Sequence, residues 1–389
     1  MSTTTYSPSI NTGNVLLNNV SSSRDLVYQG GSIRPTTSNL APVNQFISKL
    51  INTVGLGAAY QPSYATITAN CYSAISITGK SFKGGILLPD GRIICIPNTG
   101  SSNIGVFYTS NNIYSNIITG VNAGGGACLL PDGRIALSPY TATVWTVFNP
   151  GNNTVATYGT IPASSLLVGT VLGADGNAYS LGATGTLGIF NPVTNTPTTY
   201  PTGLNPQNGT GTLMPDGRII WQPQNQSYVT IWNPATWTAT SAPPGGFGSQ
   251  RLTAVSWVPQ GYSIFFPFDT GGSNVCTYNP TTSTFSNLVS GWTQNILYTS
   301  SVVLPSGSIV LVPYWANYIG FFNPVTNIYS TIVPAVSPGG TNQSLFNHGK
   351  LLPDGRVIFI PENATTIGIL NTGVPAPADF CLHPIYNRI

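Results

Sequence analysis

Charge is what this sequence has least of. Twelve Lys and Arg and nine Asp and Glu are spread over 389 residues, a charged fraction of 5%, against about a quarter in an ordinary soluble domain. The basic residues form no run and the net charge is +3. A nucleic-acid footprint needs a concentrated basic patch, so no nucleic-acid partner is expected. Histidine occurs twice, at His348 and His383, and glutamate once, at Glu362. Metal centres want two or three converging imidazoles or thiolates, and hydrolysis by paired acids wants two carboxyls in one pocket. The chain offers neither set. Cys-x-x-Cys, the Gly-x-Ser-x-Gly elbow, the P-loop and the dinucleotide fingerprint are all missing from it. These gaps argue against an enzyme, a cofactor or a metal. No stretch of eighteen apolar residues is present, so no membrane span is expected. The opening MSTTTYSPSINTG lacks the basic and apolar regions of a secretory signal.

What the chain has instead is 43 Gly, 32 Pro, 19 Tyr and 15 Phe, with a hydrophobic fraction of 41% that suffices for a core. The glycines punctuate a repeat. Pro-Asp-Gly-Arg recurs in LLPDGRIICIP from Leu87, LLPDGRIALSP from Leu129, LMPDGRIIWQP from Leu213 and LLPDGRVIFIP from Leu351. Eroded copies lie around Gly176, Gly261 and Gly307. From Gly91 through Gly133, Gly176, Gly217, Gly261 and Gly307 to Gly355, the steps are 42, 43, 41, 44, 46 and 48 residues. Seven units of this length read as seven four-stranded propeller blades, an all-β fold.

Each unit has one internal order. A run of small residues makes the innermost strand. A hairpin follows in which Pro presets φ, Asp caps the turn and Gly takes positive φ. The structural-turn residues are thus Asp90, Gly91 and Arg92; Asp132, Gly133 and Arg134; Asp216, Gly217 and Arg218; Asp354, Gly355 and Arg356. Each Arg is expected to pair with its own Asp or with a neighbouring blade. The second strand is β-branched and ends in a proline in six of seven units. The third ends in an aromatic plus Asn-Pro, as at Phe148-Asn149-Pro150 and Phe322-Asn323-Pro324. The aromatic is expected between blades, and an outer strand follows. This order resembles the kelch-type propeller, including the central domain of galactose oxidase, over about residues 75–375; a proline stands where kelch has a double glycine after the second strand. The oxidase activity is not implied, because the resemblance does not extend to its Tyr and His copper ligands.

The strand near residues 71–79 matches the outer-strand position and is expected to complete the seventh blade, closing a propeller over 65–375. Residues 376–389 lose the repeat and read as a C-terminal tail. Cys95, Cys128 and Cys276 fall in predicted strands as small buried hydrophobes; Cys71 and Cys381 lie near the two ends of the ring, where a bridge is an option. Residues 1–64 do not repeat. Residues 1–40 read as an extended arm. Val43, Phe46, Ile47, Leu50, Ile51 and Val54 recur at steps of three and four, one apolar face of a short helix between Pro42 and Gly55. That face packs on the propeller itself, docks into a partner protein or lies on a membrane surface.

A neutral amide and hydroxyl surface suits a protein packed in an assembly or displayed outside a cell. The expected function is therefore structural: a virion surface or tail component, attached to other structural proteins through residues 1–64, whose loops contact a host receptor or glycan. The alternatives are a soluble carbohydrate-binding propeller and an oxidase-like enzyme; the alternative location is the cytoplasm. Candidate ligand contacts are His348, at the start of an innermost strand, and Trp145, Trp221, Trp237, Trp292 and Trp315, which otherwise pack between blades.

Overall fold

The computed structural model describes residues 16–17, 26–29, 32–35 and 68, and residues 71–387 apart from the short stretches 78–80, 99–102, 119–120, 122–123, 163–164, 205–207, 224–227, 243–251, 268–273, 291, 293–297, 317, 335–343 and 385–386. Seven four-stranded antiparallel meanders follow one another. They span 82–118 (blade 1), 126–158 (blade 2), 167–201 (blade 3), 208–242 (blade 4), 252–290 (blade 5), 298–332 (blade 6) and 346–371 (blade 7). Blade 7 takes its outer strand from the other end of the chain: Tyr72–Ser76 pairs antiparallel with Thr366–Asn371, with Leu370 opposite Tyr72 and Thr366 opposite Ser76. The ring is thus closed by a strand from before blade 1, which leaves no open sheet edge at the junction.

The seven repeat glycines all take positive φ, between 82° and 92°. In blade 1 the Gly91 N–H donates to the Leu88 carbonyl and Leu88 N–H to the Arg92 carbonyl, 2.9 and 2.8 Å. This is a type I turn followed by a left-handed glycine. The Asp and Arg of the motif do two jobs. Asp90 accepts the Arg92 backbone N–H at 3.0 Å and pairs with its guanidinium at 2.7 Å. The same guanidinium then reaches the third-to-outer turn of the next blade. Arg92 donates to the Pro150 carbonyl (3.2 Å), Arg134 to the Pro192 carbonyl and Asn195 Oδ1 (both 2.8 Å), and Arg218 to the Pro280 carbonyl (2.6 Å). Arg356 donates to the Thr109 carbonyl and Asn112 Oδ1, both 2.6 Å, across the closure. The two repeated motifs are therefore partners across the seam. Their Asp–Arg pairs are the ion pairs formed among the described residues.

The core is a ring of such seams. Second and third strands are buried almost throughout, and the buried clusters run from one blade to the next. The aromatic before Asn-Pro sits there, as expected: Phe190 stacks on Trp145 of the previous blade (5.7 Å), and Phe322 meets Phe266 edge-on (5.4 Å). Outer strands alternate exposed and half-buried, their exposed positions filled by residues such as Thr154, Thr198 and Ser330.

Within the segment expected as an extended arm, Leu16–Leu17, Leu26–Gln29 and Ser32–Pro35 form a small antiparallel sheet. Within the C-terminal tail some residues are fixed. A short helix, Ala378–Leu382, buries Phe380 and Cys381 against the core, and Asn387 grips the innermost strand of blade 1, accepting the Leu87 N–H (2.9 Å) and donating to its carbonyl (2.6 Å). Cys71 and Cys381 are not joined by a disulfide, nor are Cys95, Cys128 and Cys276, and Cys381 is buried in the core. The helix expected over Val43, Phe46, Ile47, Leu50, Ile51 and Val54 lies outside the described residues.

Candidate functional site

A six-residue innermost strand covers about 20 Å at 3.3 Å per residue, so each blade has two distinct ends. The Pro-Asp-Gly hairpins occupy one. At the other lie the start of each innermost strand and the end of each second strand. The first residues of the innermost strand carry a register shift against the second strand in six blades, for example between Phe82 and Gly84 and between Phe346 and His348. Bulges of this kind re-aim side chains near functional sites.

Most residues at this end are small, as expected around a crowded axis. Blades 7 and 1 depart from the rule with Lys83, Asn347 and His348. Lys83 and Asn347 hold the same place in the repeat, 264 residues apart. Asn98 and Glu362 do so as well; each follows the proline that ends a second strand. The structure brings these four together. Glu362 Oε2 accepts from Asn347 Nδ2 at 2.7 Å and Oε1 from Asn98 Nδ2 at 3.2 Å. His348 Nδ1 lies 3.1 Å from both the Lys83 carbonyl and Asn347 Oδ1. Both partners are acceptors, so Nδ1 carries the hydrogen and the imidazole holds Asn347 in place from behind.

Two half-buried charges share this mouth. Burial pushes the Lys83 ammonium below its ordinary pKa, and the nearby Glu362 charge partly offsets this. Burial raises Glu362, against the pull of Lys83, Asn347 and Asn98. No ion pair within 4 Å joins them. The loop after the second strand of blade 6 supplies an aromatic wall. Tyr314 and Trp315 stack with ring centroids 6.3 Å apart and planes within 8°. The Tyr314 carbonyl accepts the Leu345 N–H, and the Leu345 carbonyl accepts the Glu362 N–H, which places the wall beside the polar cluster. Burial raises the Tyr314 hydroxyl, with the Glu362 charge adding to the shift. Trp315 is 42% exposed.

Of the residues singled out by sequence, His348 and Trp315 belong to this mouth. His348 is itself buried and acts through Asn347. Trp145, Trp221 and Trp292 are core residues: Trp145 stacks on Phe190, Trp221 donates its indole N–H to the Gly169 carbonyl of blade 3 (3.1 Å), and Trp292 packs edge-on against Phe322. They are too enclosed to touch a ligand. Trp237 is half exposed on the outer turn of blade 4, at φ 54°, where five other blades place Asn or Ser. It packs against Trp232 and Tyr200 at a seam whose hairpin has Asn177 in place of Arg. Sequence reasoning missed Lys83, Asn98, Tyr314 and Asn347. The available signal was departure from the repeat, a large polar side chain where other blades have small ones. Among the described residues no cluster of His, Cys, Asp and Glu is arranged to hold a metal ion, and no helix is long and apolar enough to cross a membrane.

No protein-family model matches the chain, and no curated protein does. Solved structures do. Virginiamycin B lyase from Staphylococcus aureus superimposes with a TM-score of 0.66 at 11% identity, covering 77% of this chain and 98% of that one. A streptogramin B lyase gives 0.64 at 14%, covering 77% and 97%. The extracellular domain of a one-component system from B. thetaiotaomicron gives 0.59 at 12%, covering 77% of this chain and 39% of that one. At such identities the likeness establishes the seven-bladed propeller and carries no activity with it.

Proposed function

We propose that this chain is a non-enzymatic interaction protein, a propeller displayed on a large assembly such as a virion surface or tail, attached through residues 1–64 and presenting its mouth to a receptor or glycan. The observation that supports this most is where the charges sit. The ion pairs among the described residues lie in the hairpins, with the guanidiniums turned across the seams, and the outer strands expose mainly neutral side chains. A wall without charge has little to keep it apart from other proteins and little desolvation cost on contact. Exposed Ile113, Val193, Val325 and Ile328, on the outer turns and at the starts of outer strands, add apolar area for such contacts. An extracellular domain among the structural neighbours is in keeping with display outside a cell.

Purified particles from the source of this sequence, analysed by mass spectrometry, test the reading. The full chain should co-purify with them in constant ratio, and a chain lacking residues 1–64 should be released. Recovery of the full chain only as free monomer would refute attachment. The second reading, a soluble carbohydrate-binding propeller, is favoured by the aromatic and amide lining of the mouth; binding by the free ring with no assembly partner would select it.

A further inference from the structure

The mouth between blades 6, 7 and 1 has the donor and acceptor pattern of a site for one kind of molecule. Lys83 presents hydrogen-bond donors only, and ionised Glu362 presents acceptors only. They are not bonded to each other, so a ligand bridging them must both donate and accept. Hydroxyl groups do so; carboxylates and ammonium groups do not. The pair also selects on charge. An anionic ligand meets Glu362 and a cationic one meets Lys83, so a neutral molecule is preferred. Glu362 is held ready by two amides, at 2.7 and 3.2 Å, and Asn347 is braced by His348. Beside this polar floor stands Trp315, its ring parallel to Tyr314 and substantially exposed. A flat aromatic face next to fixed amides and a carboxylate accommodates a ring with C–H bonds on one face and hydroxyls at its edge.

We propose that this mouth binds a neutral hexopyranose, stacked on Trp315, with vicinal hydroxyls bridging Lys83 and Glu362. The site rests on the interaction reading above in one respect only, that recognition and not turnover is its role. The surface glycan of a receptor and a free sugar present the same chemistry to it.

The experiment uses the full chain and a set of methyl hexopyranosides (gluco, galacto and manno), with methyl glucuronoside and glucosamine as charged counterparts, read by saturation-transfer NMR and by tryptophan fluorescence titration. At least one neutral glycoside should bind saturably, and its charged counterparts about tenfold or more weaker, a difference of about 1.4 kcal/mol. Trp315→Ala, at an exposed position, keeps the fold and should abolish binding. Glu362→Gln and Lys83→Met should each weaken it about tenfold or more. Trp237→Ala should leave it unchanged. If no neutral glycoside saturates the protein, if a charged counterpart binds best, or if Trp315→Ala binds like wild type, the proposal fails. Particle co-purification is read separately, so losing the sugar leaves attachment standing, and the reverse also holds.

Discussion

The four Pro-Asp-Gly-Arg hairpins share one sequence, yet their arginines should contribute very differently to stability. Arg356 spans the closure of the ring, donating to two oxygens of blade 1 at 2.6 Å each. Arg92 reaches a single carbonyl at 3.2 Å. Both form the same pair with their own Asp, so this local interaction cancels in the comparison. A hydrogen bond from a charged group is worth about 1.5–3 kcal/mol when enclosed. The Arg356 side chain retains 20% exposure, and solvent screening lowers the value further. Arg356→Ala should therefore cost about 2–3 kcal/mol, against about 0.5–1 kcal/mol for Arg92→Ala. The Asp354 carboxyl reports the local pair alone. Burial would raise its pKa, but hydrogen bonds from the Arg356 side chain and backbone outweigh burial and hold it below the usual value. Urea denaturation of the two variants beside wild type measures the difference, and hydrogen exchange at Thr109–Ile113 shows whether the loss sits at the closing seam. Equal destabilisation by the two substitutions, or a larger effect at Arg92, would mean that cross-blade bonds are not what these arginines contribute.

The closing strand gives a second prediction. Tyr72 is buried and stacks near Phe359 at 6.3 Å, so Tyr72→Ala should cost about 3–5 kcal/mol; deleting residues 71–77 should expose the Thr366–Asn371 edge and promote self-association by light scattering. An unchanged melting temperature after the deletion would refute closure by this strand. Acid should loosen the C-terminal segment. Burial lowers His383 to about 4 from an ordinary 6.5, so below pH 6.5 the unfolded chain takes up a proton that the folded one refuses; stability is full above 6.5 and falls until pH reaches about 4, by about 3 kcal/mol in total. Burial raises neighbouring Asp379, which acts in the opposite direction, so the pH dependence of wild type minus His383→Asn isolates the histidine, and identical curves would show that His383 does not titrate as described. Thiol accessibility is the fourth test. Cys95, Cys276 and Cys381 are pushed up to about 12 by burial, while Cys71 is half buried; a thiol reagent should label one cysteine in the native protein and five after denaturation, and four or fewer under non-reducing denaturation would reveal a disulfide.

Much of the fold was legible because its signals are local. A positive φ at Gly91 or Gly355 needs only the turn it sits in, and the Asn-Pro turns need only their own amide, as where Asn191 Oδ1 accepts the Val193 and Thr194 N–H groups. The period then counts the blades. Less was legible wherever the partner lies far along the chain. Lys83 and Glu362 are 279 positions apart and meet because blade 7 closes on blade 1. Asn387 binds Leu87 across 300 positions. No periodicity marks such pairs. The tryptophans show the same limit from the other side: Trp145 and Trp315 both come a few residues after the proline that closes a second strand, but one fills a seam and the other stands at the mouth.

The sequence by itself determined the number of blades, the order of strands within each and the strand that closes the ring, because turn chemistry and strand alternation act over a few residues and then repeat. Tertiary structure alone decided which side chains share the mouth, which arginine holds which seam and which tryptophan is left exposed. Those outcomes depend on how neighbouring wedges meet, and the contacts that settle them join residues that no local rule relates.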